Sequence, residues 1–378
     1  MQNKASVIMR YIASVLCTME YGTPLPPLPE GIGWSEVYEL ASKHSLASSI
    51  WYFIADEVRS VADASLVVKW EKETGMDFVK NTVQQSEFKT ITDLLIKNEI
   101  RFLPMKGFLF KEIWKCPEYR TMADMDFYVD EEDLPRVGQL LEKIGYEKDH
   151  DDERHDTFTK APYVHVEMHR ALEDGIVADF ERWEKKQGTQ YWYVMDREDF
   201  IVFNIAHMYK HYIKGGCGAR SLFDMHLYLK RFADFVDEER LALLLSEAGL
   251  SEFYTDICAL MRLWFENGTQ SCDKNNSLHC KDAEPTEKLL EFEYFISTGG
   301  AYGSIENKVI YTSKGKSKSK YVLSRLFPPL SVMRTIYKWL DKAPILLPFA
   351  YLVRCFGAVF NKRARAELRA VNKTYASK

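Results

Sequence analysis

Arg120-Thr-Met-Ala-Asp-Met-Asp-Phe-Tyr-Val-Asp130 reads as a β-strand that carries two carboxylates two residues apart. Side chains alternate faces along a strand. Asp124, Asp126 and Tyr128 therefore share one face, while Met125, Phe127 and Val129 share the other and can enter a core. Two neighbouring carboxylates on a rigid strand suit a hard divalent cation. Mg²⁺ takes one or two carboxylates and completes its shell with water and phosphate oxygens. Aspartates are also common at the ends of exposed strands. The flanking sequence decides between these readings.

Upstream, Ile100-Arg-Phe-Leu-Pro-Met-Lys-Gly-Phe-Leu-Phe110 is a short apolar strand running into a Lys106-Gly107 turn, with a helix expected over 108–114. Glycine at such a turn lets backbone approach a ligand. A helix start offers free amides and partial positive charge to a phosphate, and Lys106 adds a full charge. The plainer alternative is a turn glycine beside an exposed lysine. The chain has no Walker motif. Downstream, Tyr163-Val-His-Val-Glu-Met-His169 alternates: Val164, Val166 and Met168 face one way, and His165, Glu167 and His169 the other. The zinc protease signature needs two histidines one turn apart on a helix, and this segment has strand periodicity. Glu167 is then a third carboxylate on a neighbouring strand. A zinc pair of His165 and His169 is the minor reading, and a solvated polar face the plain one.

The order is apolar strand, Lys-Gly turn, helix, Arg120, Asp-x-Asp strand, helix over 132–144 ending at Gly145, and strand with Glu167. This resembles the nucleotidyltransferase superfamily of the DNA polymerase β type, and within it the branch of uncharacterised nucleotidyltransferases. The resemblance spans about residues 34–230. It implies an α+β fold in which a small mixed β-sheet nucleotidyltransferase core is embedded in a mostly helical protein. It also implies metal-dependent transfer of a nucleoside monophosphate from an NTP to an unknown acceptor. Asp124, Asp126 and Glu167 would be catalytic and would hold Mg²⁺ (or Mn²⁺). Lys106, Gly107 and Arg120 would bind the nucleotide. The chain has Lys-Gly where better-known members have Gly-Ser, so one hydroxyl contact to phosphate is missing. That departure motivates an alternative: a catalytically inactive nucleotide-binding or regulatory protein on the same fold.

The stretch Ile201-Val-Phe-Asn-Ile-Ala-His-Met-Tyr-Lys-His-Tyr212 is helical by pattern, so His207, Lys210 and His211 share a face. Arg220 and Asp224 follow one helical turn apart. With His169, these five residues are candidates for contacting base, phosphate or acceptor. A solvated face with an i,i+4 ion pair explains the same pattern at a few tenths of a kcal/mol.

At 378 residues, with 46% hydrophobic and 28% charged content, the chain has ample material for a core. Its composition divides it into an N-terminal helical region (1–97), the sheet core (98–175), a helical substrate-binding region (176–306) and a basic, partly apolar C-terminal region (307–378). Helices are expected at 35–43, 45–59 and 67–97, and mostly helix over 177–263. A loop is expected at 150–155, a polar surface loop over 267–284, and a basic loop over 313–320. Seven scattered cysteines without a C-x-x-C pair argue against a disulfide framework and fit a cytoplasmic protein.

Charge is segregated. Residues 307–378 carry 16 Lys or Arg against two acids, a net +14, and the first 306 residues carry −19. An anionic membrane met peripherally, a nucleic acid without sequence-specific recognition, or the acidic body itself would each suit such a tail. The apolar run over 343–360 is interrupted by Pro348 and Arg354 and is expected to form a helix packed against the preceding ones, or an interfacial helix flanked by Lys362, Arg363 and Arg365, rather than a bilayer span. Two substitutions test the site reading. Asp126→Asn is expected to leave stability intact by relieving repulsion, and Gly107→Val to weaken nucleotide binding more than folding.

Overall fold

The computed structural model describes residues 3–151, 153–173, 176, 178–266 and 285–376. Four helices lead the chain: α1 (Lys4–Tyr21), α2 (Trp34–Lys43), α3 (Ala47–Val61) and α4 (Ala64–Lys97). Capping explains their limits. Asn3 accepts from the Ala5 amide at the start of α1, Gly22 ends that helix at φ +70°, and Asp63 caps α4 through the Ser65 amide. Within α1, Ile8, Ile12, Val15, Leu16 and Met19 recur at helical spacing and are buried.

The sheet follows. Its strands are β1 (Phe102–Met105), β2 (Met125–Val129), β3 (Glu147–Asp151), β4 (His155–Lys160) and β5 (Val164–His169), in spatial order β1-β2-β5-β4-β3. β2 and β5 are parallel and the other neighbours antiparallel. Between strands lie α5 (Gly107–Lys111) and α6 (Leu134–Lys143). A small hairpin, β6 (Glu184–Lys185) with β7 (Tyr193–Val194), precedes α7 (Arg197–Ile213), α8 (Ala219–Phe232), α9 (Glu238–Glu247), α10 (Ser251–Phe265) and α11 (Glu287–Gly299). The C-terminal region holds α12 (Ile305–Thr312), α13 (Lys318–Leu326), α14 (Leu330–Ile336), α15 (Leu347–Phe360) and α16 (Lys362–Ala376). This is an α+β fold with a mixed five-stranded sheet set among helices.

Both faces of β2 are buried, and they enter different cores. Met125, Phe127 and Val129 join Val166, Met168, Val137, Leu141, Ile91 and Leu95 under α4 and α6. Tyr128, with Leu103 and Met105 of β1, joins the larger core built by α1–α3 and α7–α11. Segments far apart in sequence, 1–97 and 176–306, thus share one core.

Several expectations are revised. The helix expected over 108–114 is one turn long, ending at Lys111, because Lys115 to Arg120 must turn back towards β2. The segment expected as a loop at 150–155 is partly strand, since β3 runs to Asp151 and β4 begins at His155. The region after 177 opens with a hairpin before its helices begin. The basic loop is shorter than 313–320, since Ser317 caps α13. The polar loop over 267–284 lies outside the described residues. The described cysteines, Cys17, Cys116, Cys217, Cys258 and Cys355, are free.

His44 ties the helical halves together. Its Nδ1 accepts from the Ala219 amide at 3.0 Å, and its Nε2 meets the Ser297 carbonyl at 3.0 Å, fully buried. Burial drops its pKa from 6.5 to about 4. The folded value lies below the unfolded one, so the unfolded chain binds more protons between them, and stability falls as pH drops from 6.5 towards 4. Relative to a His44→Asn variant, the wild type should lose about 2 kcal/mol more stability between about pH 7 and about pH 5, read from urea denaturation.

Candidate active site

Strand register brings the acidic residues together. Asp126 on β2 pairs with Glu167 on β5, and on the next strand His155 pairs with His169. Residues paired across a ladder face the same side. His169 Nε2 lies 3.0 Å from Asp126 Oδ1 and 3.1 Å from Glu167 Oε2. Lys106 sits where β1 ends, with φ +47° and ψ −108°, a costly conformation for a residue with a side chain. Its Nζ donates to Asp126 Oδ1 at 3.2 Å. Asp124 lies just before β2. All of these line one cavity of about 930 Å³, together with Gly107, Arg120, His207, Lys210, His211, Arg220 and Asp224.

The loop that carries Asp124 is clamped from two sides. From α4, Asn81 donates to the Glu118 carbonyl at 2.6 Å, and Gln84 to those of Met122 and Ala123 at 3.3 and 3.4 Å. From α8, Arg220 donates to the Thr121 carbonyl at 2.7 Å. The carboxylates are electrostatically unequal. Burial, helped by the charges of Asp126 and Glu167, pushes the Asp124 carboxyl up to about 6. Burial also opposes ionisation of Asp126, but Lys106 and His169 outweigh it and hold that carboxyl well below its usual range. Burial likewise opposes the charge on Lys106 and His169, yet their acidic partners raise both pKa values.

Three sequence-based assignments change. Arg120 is buried, and its guanidinium is bonded within the fold. Nε and Nη2 donate to Asp224 Oδ1 and Oδ2 at 2.7 Å each, and Nη1 donates to the Gly107 carbonyl at 2.9 Å. Asp224 also accepts from Trp114 Nε1 at 2.7 Å. Arg120 and Asp224 therefore hold each other within the fold, at the lining of the cavity. The i,i+4 pairing of Arg220 with Asp224, the plainer alternative from sequence, gives way to this longer-range pair. Gly107 begins a five-residue helix, and a Cβ there would lie 2.4 Å from Met122 Sδ. Gly107→Val therefore strains packing directly, and does not isolate a binding effect as expected from the turn alone.

Glu173 is a site residue that the sequence did not flag, because it follows the strand without a repeating pattern. It is buried, accepts from His207 Nδ1 at 2.9 Å and Lys210 Nζ at 3.0 Å, and lies 3.4 Å from Arg154. Burial opposes its ionisation, but His207 and Lys210 prevail and lower its pKa. Burial and the neighbouring cations drop His211 to about 4. Among the described residues, His155, Glu167 and His169 form a group that could hold a metal ion, with one donor atom each, all within 4.8 Å of one another. His155 takes the place that the sequence reading gave to His165, which is exposed on the same strand face.

Residues 30–266, more than half of the chain, match the family described as uncharacterised nucleotidyltransferase. The chain belongs to that family. None of the curated proteins matches it. Among solved structures, the antibiotic-resistance factor ANT(2'')-Ia is similar at a TM-score of 0.36 and 11% identity, covering 48% of this chain and 97% of that one. A likeness at that level carries no functional argument.

Two stability outcomes follow from the geometry. Asp224→Ala leaves the buried Arg120 charge without its carboxylate and should cost about 3–5 kcal/mol in urea denaturation. The aspartates should separate, contrary to the expectation from repulsion alone. Asp126→Asn removes the anion that balances Lys106 and His169 and should destabilise. Asp124→Asn removes the repelled carboxylate and should leave stability at neutral pH unchanged or higher by about 1 kcal/mol. Because the folded pKa of Asp124 exceeds the unfolded one, its burden grows as pH rises from 3.8 to about 6, and only the wild type should show that slope.

Proposed function

We propose that this chain is a divalent-cation-dependent nucleotidyltransferase that moves a nucleoside monophosphate from an NTP to an acceptor hydroxyl or phosphate, breaking the bond between the α- and β-phosphates and releasing pyrophosphate. Family membership supports nucleotidyl transfer as the class of activity. The observation that carries the finer reading is the polarity of the cavity. Both signs of charge line it: Asp124, Asp126 and Glu167, and also Lys210, Lys214 and Arg220.

The carboxylates fit a dication. Asp124 is pushed up to about 6 by burial and by Asp126 and Glu167, a repulsion that a bound cation relieves. Asp124, Asp126 and Glu167 would hold it. A bound Mg²⁺ or Mn²⁺ supplies charge neutralisation on the transferring phosphoryl group and aligns attacking and leaving oxygens. The imidazoles beside Glu167 favour Mn²⁺ over Mg²⁺ in the preference of such a mixed nitrogen and oxygen set. Lys210, Lys214 and Arg220 would bind the phosphates; the buried Nε of Arg220 has no hydrogen-bond partner. Glu173 accepts from His207 Nδ1, which fixes the ring and leaves Nε2 as the basic nitrogen when the imidazole is neutral. That nitrogen would take the acceptor proton.

A second reading, nucleotide binding without turnover, has its own observation. Asp126 Oδ1 is already within hydrogen-bond reach of both Lys106 and His169, which compete with a cation for that oxygen. Incubation with α-labelled NTPs, Mn²⁺ or Mg²⁺, and hydroxyl- and phosphate-bearing acceptors separates the two. Transfer of label, faster with Mn²⁺ and reduced at least about a hundredfold in Asp124→Asn, is the expected result. Nucleotide binding by calorimetry without labelled product would favour the second reading, and absence of both would overturn each.

A further inference from the structure

The apolar run of the C-terminal region turns its side chains outward. On α15, Phe349, Leu352, Val353 and Phe356 lie at i, i+3, i+4 and i+7, the stripe a soluble helix normally buries. Here Phe349 is 58% exposed, Leu352 59% and Phe356 72%. The opposite side of the helix is the packed one, through Leu347, Ala350 and Tyr351 against Met333 and Leu340. Ile345, just ahead of the helix, is 86% exposed, and Trp339 adds an exposed indole. Of the two sequence readings of this run, packing on the body is not what is seen: its inner side serves a small local core, and its outer side is uncovered among the described residues.

The surroundings are basic. Lys338 and Lys342 precede the stripe, and Lys362 and Arg363 follow it, all exposed. The two acids of the region are neutralised in place: Asp341 lies 3.6 Å from Arg334, and Glu367 is bonded to Arg325 and Tyr321. With the net +14 of residues 307–378, the patch is complementary to an anionic surface with an apolar interior. At 14 residues, α15 is about 21 Å long, short of the ~30 Å hydrocarbon core, and no single described helix is long and apolar enough to cross a membrane.

We propose that the α14–α15 segment is a peripheral docking surface for an anionic lipid bilayer, with α15 lying in the plane of the interface. Phe349, Leu352, Val353 and Phe356 enter the boundary between headgroups and acyl chains, Trp339 sits at headgroup level, and the flanking lysines and arginine meet lipid phosphates. The patch includes none of the cavity residues, so the inference stands apart from the transfer reaction. The test is flotation of the full-length protein with vesicles of phosphatidylcholine alone and of phosphatidylcholine mixed with phosphatidylglycerol, at low and high salt. The protein should float with the anionic vesicles at least about tenfold more than with the neutral ones, and less at high salt. F349E/F356E and K338E/K342E should each lose flotation while retaining the wild-type melting temperature, since these side chains are exposed. Wild-type protein that stays unbound to anionic vesicles would overturn the proposal. So would flotation unchanged in both variants. A dimer by light scattering that F349E/F356E converts to monomer, without flotation of the wild type, would reassign the stripe to a contact between copies.

Discussion

The Arg120 guanidinium joins segments separated by 13 and 104 residues: the Gly107 carbonyl at the start of α5, and Asp224 on α8. Arg120 precedes the Asp124 loop, so its forked geometry fixes where that loop leaves the helical body. A planar guanidinium with two parallel bonds to one carboxylate restricts angle as well as distance. A buried ion pair of this kind contributes little net stability against an apolar alternative, because both charges are desolvated. What it does here is set position: with the Arg220 bond to the Thr121 carbonyl, it holds the start of α5 and α8 against the segment that leads to the Asp124 loop.

That placement produces an uneven electrostatic field within one cavity. Asp126 is matched by Lys106 and His169, while Asp124, two residues earlier, is pushed up by desolvation and by the charges of Asp126 and Glu167, which Lys106 only partly offsets. Glu173 repeats the matched arrangement with His207 and Lys210. The cavity thus combines settled ion pairs, which keep their geometry, with one carboxylate held in a state that a dication would improve. Low-dielectric surroundings amplify both effects.

Charge is partitioned on a larger scale too. The acidic body has a buried, aromatic-rich core, and the basic tail has small cores of a few residues each around Tyr321 and Met333. Cores that small cannot cover an apolar stripe on a 14-residue helix, so the stripe is left facing out.

Period-two alternation in 120–130 and 163–169 determined by itself that Asp126 and Glu167 lie on the strand faces opposite Phe127 and Met168, since successive side chains of a pleated backbone point to opposite sides; that both faces of β2 are buried was decided by the tertiary structure. Helical spacing likewise determined α2 to α4 and α7 within a few residues. The family and its mixed sheet were legible from the order of these signals. The functions of Arg120, Gly107 and Asp224 were not, because a guanidinium, a glycine and a carboxylate serve equally as ligand contacts or as internal ties. Which one holds depends on partners about a hundred residues away. Glu173 and His155 were hidden for the same reason: neither belongs to a local pattern, and only strand pairing and the packing of α7 bring them to the cavity. The exposure of α15 was also beyond local sequence, since an apolar helix is buried or exposed according to whether the rest of the chain provides a surface to cover it. Local periodicity is written in neighbouring residues; the pairing of charges and the covering of apolar faces are settled between distant ones.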